Sequence, residues 1–214
     1  GERYRLYTLT KELGRATGGK AKLVDGDGYH GDYVLNLTPL PKSKEDVIAV
    51  GGEWNALPRV PKVEPTNQQI YSKAMAAFLR SKGIAKPEVH ITQVLRVDLE
   101  GDGTEEALIS ASSGGPYEMF DRPRPGMYSA VIVRKLVRGR VRMIEIESNC
   151  VTRTPPADQP PLTSILEVGF VLDLNGDGVM EPMVQFQYYE NMGFRAYGVQ
   201  GEKVKELFSS GIGG

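Results

Sequence analysis

Two stretches of this chain carry oxygen-bearing side chains at a spacing suited to a hard cation. Residues 94–110 read VLRVDLEGDGTEEALIS and residues 169–185 read GFVLDLNGDGVMEPMVQ. Aligned on Asp98 and Asp173, both give D-L-x-G-D-G-x-x-E between apolar runs. Calcium takes about six to eight oxygens at about 2.3–2.6 Å, and a short loop can supply them from alternate side chains, one backbone carbonyl and a closing carboxylate. In the first loop these would be Asp98, Glu100, Asp102, the Thr104 carbonyl and Glu106. In the second they would be Asp173, Asn175, Asp177, the Val179 carbonyl and Glu181. Gly103 and Gly178 sit where the chain must turn sharply through positive φ. The closing Glu106 and Glu181 arrive earlier than in a helix–loop–helix calcium site, so an incoming strand must close each ion.

A hairpin turn also uses Asn-Gly or Asp-Gly, but it has no need of the flanking acids. Clustered carboxylates repel one another without a counter-ion. The expected cofactor is therefore calcium, two ions in all. Magnesium suits the loops less well, because it demands near-octahedral geometry at about 2.0–2.1 Å and holds its waters. Four acids in the first loop against three and an asparagine in the second predict tighter binding at the first. Glu100 is nevertheless longer than the usual Asp or Asn at its position.

The elements that must position these loops read as strands. After the first loop comes MYSAVIVRKLVRGRVRMIEIES, from Met127 to Ser148, and after the second MGFRAYGVQGEKVKELFSS, from Met192 to Ser210. Each is a β-branched and aromatic run, a turn with glycine (Gly139, Gly201), then an alternating run, which predicts a meander of about four antiparallel strands per copy. Val141, Met143, Glu145 and Glu147 are expected on one face, Arg142, Ile144 and Ile146 on the other. Pro58 to Pro65, Thr154 to Pro161 and Asp121 to Pro125 read as connections, since proline cannot donate to a central ladder. One helix is marked at about 67–82, capped by Thr66 or Asn67 and ended by Gly83. Its stripe of Ile70, Ala74 and Phe78 with Tyr71, Met75 and Leu79 is expected to pack on the sheet of the first copy rather than bind a partner. Weakly patterned strands are expected at Tyr4–Leu9, Tyr33–Leu37 and Val47–Val50.

Composition narrows the function class. There are 25 Gly and 14 Pro in 214 residues, against usual shares of about 7% and about 5%, and such frequent punctuation favours short elements and β-structure. Lys+Arg 26 against Asp+Glu 27 leaves no footprint for nucleic acid. Two histidines (His30, His90) and one cysteine (Cys150) cannot build a structural zinc site or a disulfide framework. No apolar run approaches the roughly 18 residues of a membrane span.

The loops resemble the calcium loops of FG-GAP and VCBS-type repeats, found in integrin-like β-propellers and in bacterial cell-surface proteins. DLEGDGTEEALISAS, from Asp98, is the closer copy. The resemblance implies calcium ligands at the ten residues named above, and it covers the loops and their flanking strands, roughly a third of the chain. Two copies do not close a propeller of typically four to eight blades. The whole chain looks more like bacterial extracytoplasmic proteins that carry such loops before a Tyr-Tyr strand, here Gln187 to Glu190. That implies a location and a metal, and no activity.

Other candidates are weaker. Asp25, Asp27, His30 and Asp32 (VDGDGYHGDY) fail the calcium spacing and read first as a glycine turn, second as a catalytic cluster with His30 as base. Cys150 reads as a small buried hydrophobe rather than a nucleophile paired with His90. Ser110, Ser112 and Ser113 lack a nucleophile elbow. Trp54 and the Tyr188/Tyr189 pair read as core before they read as a sugar platform. Asn36-Leu37-Thr38 is formally a glycosylation sequon, followed by Pro39.

The expected fold is mainly β (α+β): antiparallel meanders in two blade-like repeats with calcium loops, plus one amphipathic helix. The expected divisions are 1–62 as an N-terminal β-rich region, 63–154 as helix and first copy, and 155–214 as second copy, with one compact domain as the alternative. The expected function is a non-catalytic, extracytoplasmic calcium-binding module, secreted or at the cell surface, acting in binding or scaffolding. Its signal segment is expected to lie outside this sequence. Millimolar exterior calcium would saturate even a weak site. The expected partner is a protein or a carbohydrate, with no nucleic acid and no membrane insertion. The alternative is a hydrolase of cell-wall or polysaccharide material using two of Asp25, Asp27, Asp121, Glu145 and Glu147. A third reading is a purely structural fragment of a longer surface protein.

Overall fold

The computed structural model describes residues 1–24, 32–115, 118–119, 123–154, 163–188 and 191–213. The N-terminal stretch forms β1 (Arg3–Tyr7), β2 (Glu12–Gly18), β3 (Lys22–Val24), β4 (Asp32–Val34), β5 (Leu37–Thr38) and β6 (Ile48–Gly51). Four of these make an antiparallel sheet ordered β5-β2-β1-β6, and β3 pairs with β4. The strand β2 was not expected. Its sequence ELGRATG is glycine-rich with few apolar residues, and the pairing Arg3↔Thr17 through Arg5↔Arg15 holds it in place. The run expected at Tyr33–Leu37 divides between β4 and β5.

Next come β7 (Lys62–Val63), the helix α1 (Gln69–Ser81), β8 (Ile91–Val97), β9 (Glu106–Ser112), β10 (Tyr128–Val137) and β11 (Arg140–Cys150). The strands form one antiparallel sheet ordered β11-β10-β9-β8-β7. The short β7 lies within the proline-rich stretch read as a pure connection. Its place at the sheet edge agrees with the rule that proline neighbours are tolerated there. A second meander, β12 (Ile165–Leu172), β13 (Glu181–Gln187), β14 (Asn191–Gln200) and β15 (Lys203–Gly213), pairs in sequence order. Among the described residues the fold is thus mainly β, with four antiparallel sheets and α1. The β10–β11 turn places Arg138 at φ +50 and Gly139 at φ +74, the left-handed pair that a two-residue hairpin loop requires.

Period-2 alternation sorts the five-stranded sheet into two buried faces. Ile109, Tyr128 and Ile132 turn to one side and join Tyr71, Met75 and Leu79 of α1. Leu108, Val131 and Val133 turn to the other and join Val168, Phe170 and Val184 of the second meander. Tyr7, Ala56 and Leu57 belong to that second cluster, so the N-terminal stretch, both meanders and their core are joined there. The helix packs on the first meander as its stripe implied, although Ile70 is 50% exposed. Gln68 is the N-cap, without a side-chain cap bond, in place of Thr66 or Asn67. Gly83, at φ +94, ends the helix, with its N–H bonded to the Arg80 carbonyl and that of Ile84 to Leu79.

One expected alternation fails. A bulge opposite Val131/Ile132 leaves Glu147 across from Val131 and Glu145 across from Ile132. The extra residue turns the two glutamates to opposite faces of the sheet. Glu145 meets Lys82 at the end of α1 at 2.5 Å, while Glu147 accepts from Arg195 and from the Tyr197 hydroxyl across the sheets.

Met75 is fully buried between α1 and the sheet. Met75→Ala is expected to cost about 2–5 kcal/mol, as buried Met-to-Ala changes do. Denaturant unfolding should show a lower midpoint at unchanged slope. A loss below about 1 kcal/mol would contradict a packed helix of this kind.

Candidate metal centre

The acidic loops are the connections β8–β9 and β12–β13, and each is held in shape by its own carboxylates. In the first, Asp98 Oδ1 accepts from the N–H groups of Gly101 (2.7 Å) and Asp102 (3.2 Å), and Oδ2 from Gly103 (2.8 Å). Asp102 accepts from Thr104 N at 2.8 Å, and Glu106 Oε2 accepts from Leu99 N at 3.0 Å. In the second, Asp173 accepts from Gly176 (2.7 Å) and Gly178 (2.9 Å), and Asp177 from Val179 (2.8 Å). Asn175 Oδ1 accepts from Asp177 N at 2.8 Å, and Glu181 Oε2 from Leu174 N at 2.8 Å. Gly103 and Gly178 both stand at φ +86, as the sharp turn requires.

The loops lie against each other. Met180 N donates to the Leu99 carbonyl at 2.8 Å. Arg59 gives its Nε to the Asp98 carbonyl (2.5 Å) and Nη2 to the carbonyls of Leu99 (3.1 Å) and Gly178 (2.6 Å). Trp54 donates its indole N–H to the Asp173 carbonyl at 2.8 Å, and Asp173 N donates to Ala56 O at 2.8 Å. Residues 54–59 therefore strap both loops from the N-terminal side. This strap was not foreseen: an arginine between two prolines carries no local sign that it will serve carbonyls on two distant loops. Trp54 is part of that support, in line with its reading as a packing residue.

Burial separates the carboxylates. Asp173 is 4% exposed, Glu106 1% and Glu181 3%, while Asp102 and Asp177 face solvent. Desolvation pushes both Glu106 and Glu181 above the ordinary glutamate range. Leu99 N–H and Lys135 oppose the rise at Glu106. At Glu181 only backbone N–H groups oppose it, led by Leu174, and the charges of Asp177 and Asp173 add to it. Desolvation also acts on Asp98, but the N–H groups of Gly103, Gly101 and Asp102, with Arg59, outweigh it and hold that carboxyl low. The position-three side chains differ most. Asn175 donates to Asp177 Oδ2 at 3.0 Å, whereas Glu100 takes the Lys135 ammonium at 2.6 Å.

Among the described residues no three His, Cys, Asp or Glu side chains converge as a ready-made metal cage. Asp173 and Glu181 are nonetheless two buried carboxylates without an ion pair among the described residues, in a loop whose side-chain donors are oxygens. An oxygen-only donor set whose buried carboxylates have no cationic side-chain partner among the described residues fits a hard divalent cation such as calcium.

The remaining candidates find structural places. Cys150 is half-buried against the helix-side cluster and burial raises its thiol; His90 is exposed, and no hydrogen bond among the described residues joins the two. Ser110 Oγ accepts from Val168 N at 3.3 Å, and Ser112 and Ser113 bond the backbone around Tyr128. Asp32 falls in β4, while Asp25, Asp27, His30, Asp121 and Tyr189 lie outside the described residues. A cleft of about 500 Å³ beside the end of α1 is lined by Lys82, Arg142, Glu145 and Glu202. It holds the Lys82–Glu145 pair rather than two free acids.

Glu181→Gln is expected to stabilise the metal-free protein at neutral pH. A carboxyl whose folded pKa is raised contributes stability present below its unfolded pKa, about 4.3, and lost as pH rises through the folded value. The variant lacks this loss, so its advantage over wild type in chelator should be largest near pH 7 and vanish below about pH 4. Chemical unfolding across that range measures it, and equal curves at pH 7 would contradict an uncompensated Glu181.

No protein-family model, no curated protein and no solved structure matches the chain.

Proposed function

We propose that this protein is a non-catalytic, extracytoplasmic calcium-binding β module whose metal is structural. Its two meanders are read as diverged copies of one blade-like repeat, each opening on an acidic loop, and the assembly serves binding or surface scaffolding. The observation that carries the reading is the second loop: Asp173 and Glu181 are buried with Asp177 beside them, and no cationic side chain among the described residues pairs with them. A bound divalent ion would compensate that charge and convert its binding energy into folding energy. Glycines at matching φ and matching Asx-type hydrogen bonds in both loops support common descent of the copies.

The hydrolase reading finds less support. Glu145 and Glu147 occupy opposite faces of the sheet and each already pairs with a basic side chain. Among the described residues, no helix is long and apolar enough to cross a membrane.

Thermal unfolding after chelation tests the metal. Millimolar CaCl2 is expected to raise the midpoint, MgCl2 much less, and Asp173→Ala to remove the calcium response. At a hundredfold excess over Kd the stabilisation amounts to about 2.7 kcal/mol. An unchanged midpoint in calcium would reduce both loops to solvated hairpin turns and defeat the proposal.

A further inference from the structure

The two loops share a backbone design but not a charge balance. Lys135 lies on β10, and its side chain is only 3% exposed. Its ammonium reaches into the first loop and contacts Glu100 Oε1 at 2.6 Å. The ladder explains how it gets there. The β9–β10 pairing ends at Ala107↔Arg134, so its next step sets Lys135 across from the closing Glu106. On the other meander, continuing from Met183↔Ala196 by two residues on each strand reaches Glu181 and Gly198. The second loop thus has no side chain where the first has an amine.

A lysine with almost no exposed surface cannot retreat into water. For calcium to take the Glu100 oxygens, the ammonium would lose its anionic partner and remain buried beside a divalent ion of like sign. Both the unpaired burial and the repulsion oppose that exchange. With Glu100 committed, the first loop offers side-chain oxygens from Asp98, Asp102 and Glu106 and one carbonyl, one ligating group fewer than the second loop. The second loop keeps Asn175, whose short amide stays at the loop beside Asp177.

We infer that Lys135 is the resident cation of the first loop, so that the protein takes one calcium per chain, at the second loop. This rests on the calcium reading of the second loop and reverses the order of affinity that the acid count alone suggests.

Counting ions tests it directly. The chelator-treated protein is titrated with calcium acetate and ions are counted by native mass spectrometry, with affinity read by competition against a fluorescent chelator. The wild type is expected to hold one ion. Asp177→Asn should weaken it at least about tenfold, the lower end of what losing even an outer-shell partner does, while Asp102→Asn should leave it within about twofold. Lys135→Met should admit a second ion. Because that change can unfold the chain by stranding Glu100, Lys135→Met with Glu100→Asp gives the same test with a shorter carboxylate in the loop. Two ions on the wild type would overturn this inference while leaving the calcium reading intact. No ion at all would overturn both, and one ion lost with Asp102→Asn but kept in Asp177→Asn would overturn the assignment.

Discussion

A carboxylate taken out of water needs a cation or a dense set of N–H donors, and this chain places several carboxylates at one rim where two sheets meet. Much of the local architecture follows from meeting that demand. The loop glycines adopt positive φ so that successive N–H groups can turn inward onto Asp98 and Asp173. The peptides whose N–H groups serve Glu106, Glu181 and Asp177 have their carbonyls, on Asp98, Asp173 and Gly178, taken up by the strap of residues 54–59. Arg59 collects carbonyls from both loops, and Trp54 collects the carbonyl of Asp173. The loops therefore hold their acids through donors from within and release their carbonyls to donors from the N-terminal stretch. That is a physical reason for the first sixty residues to share a core cluster with both meanders.

The same economy governs how the two large sheets meet. An edge strand exposes unpaired backbone groups, and β12 is an edge of its sheet. Here Leu166 N donates to Ser129 Oγ at 2.8 Å and Val168 N to Ser110 Oγ at 3.3 Å, while Gln93 donates to the Val168 carbonyl at 3.0 Å. The free edge of the second meander is thus satisfied by polar side chains on the face of the first. Ser110 and Ser129 are fully buried for this reason. Buried hydroxyls that would look like nucleophiles in isolation are the means by which one sheet stands against another.

What could be read beforehand was whatever repeats locally. The loops, the strand–turn–strand runs and the apolar stripe of α1 all express short-range periodicity, and their elements lie where that periodicity placed them. What escaped depends on pairing between distant segments. The strand β2 exists because β1 and β5 flank it, not because ELGRATG prefers extension. The bulge at Ile146 exists only in relation to Val131 and Ile132, and it separates two glutamates that strict alternation would have placed side by side. Arg59 and Lys135 belong to the same class: the first looks like a linker residue and the second like one polar position in a strand. Only register and proximity show that each faces an acidic loop.

Lys135 also shows how two loops of like backbone can differ in what balances their charge. A fixed organic cation stabilises a loop under all conditions, whereas an exchangeable metal stabilises it only where the metal is abundant. A chain with two metal loops would lose both together when calcium falls, and with them the rim that joins its sheets. With an ammonium in one loop, that half of the rim stays compensated. Arg59 then carries support from the first loop to the second through the Gly178 carbonyl. On this reading calcium completes a structure that is already half assembled, so its removal loosens the β12–β13 connection before it disturbs the β8–β9 connection. The division of labour follows from one cross-strand difference, lysine on β10 against glycine on β14.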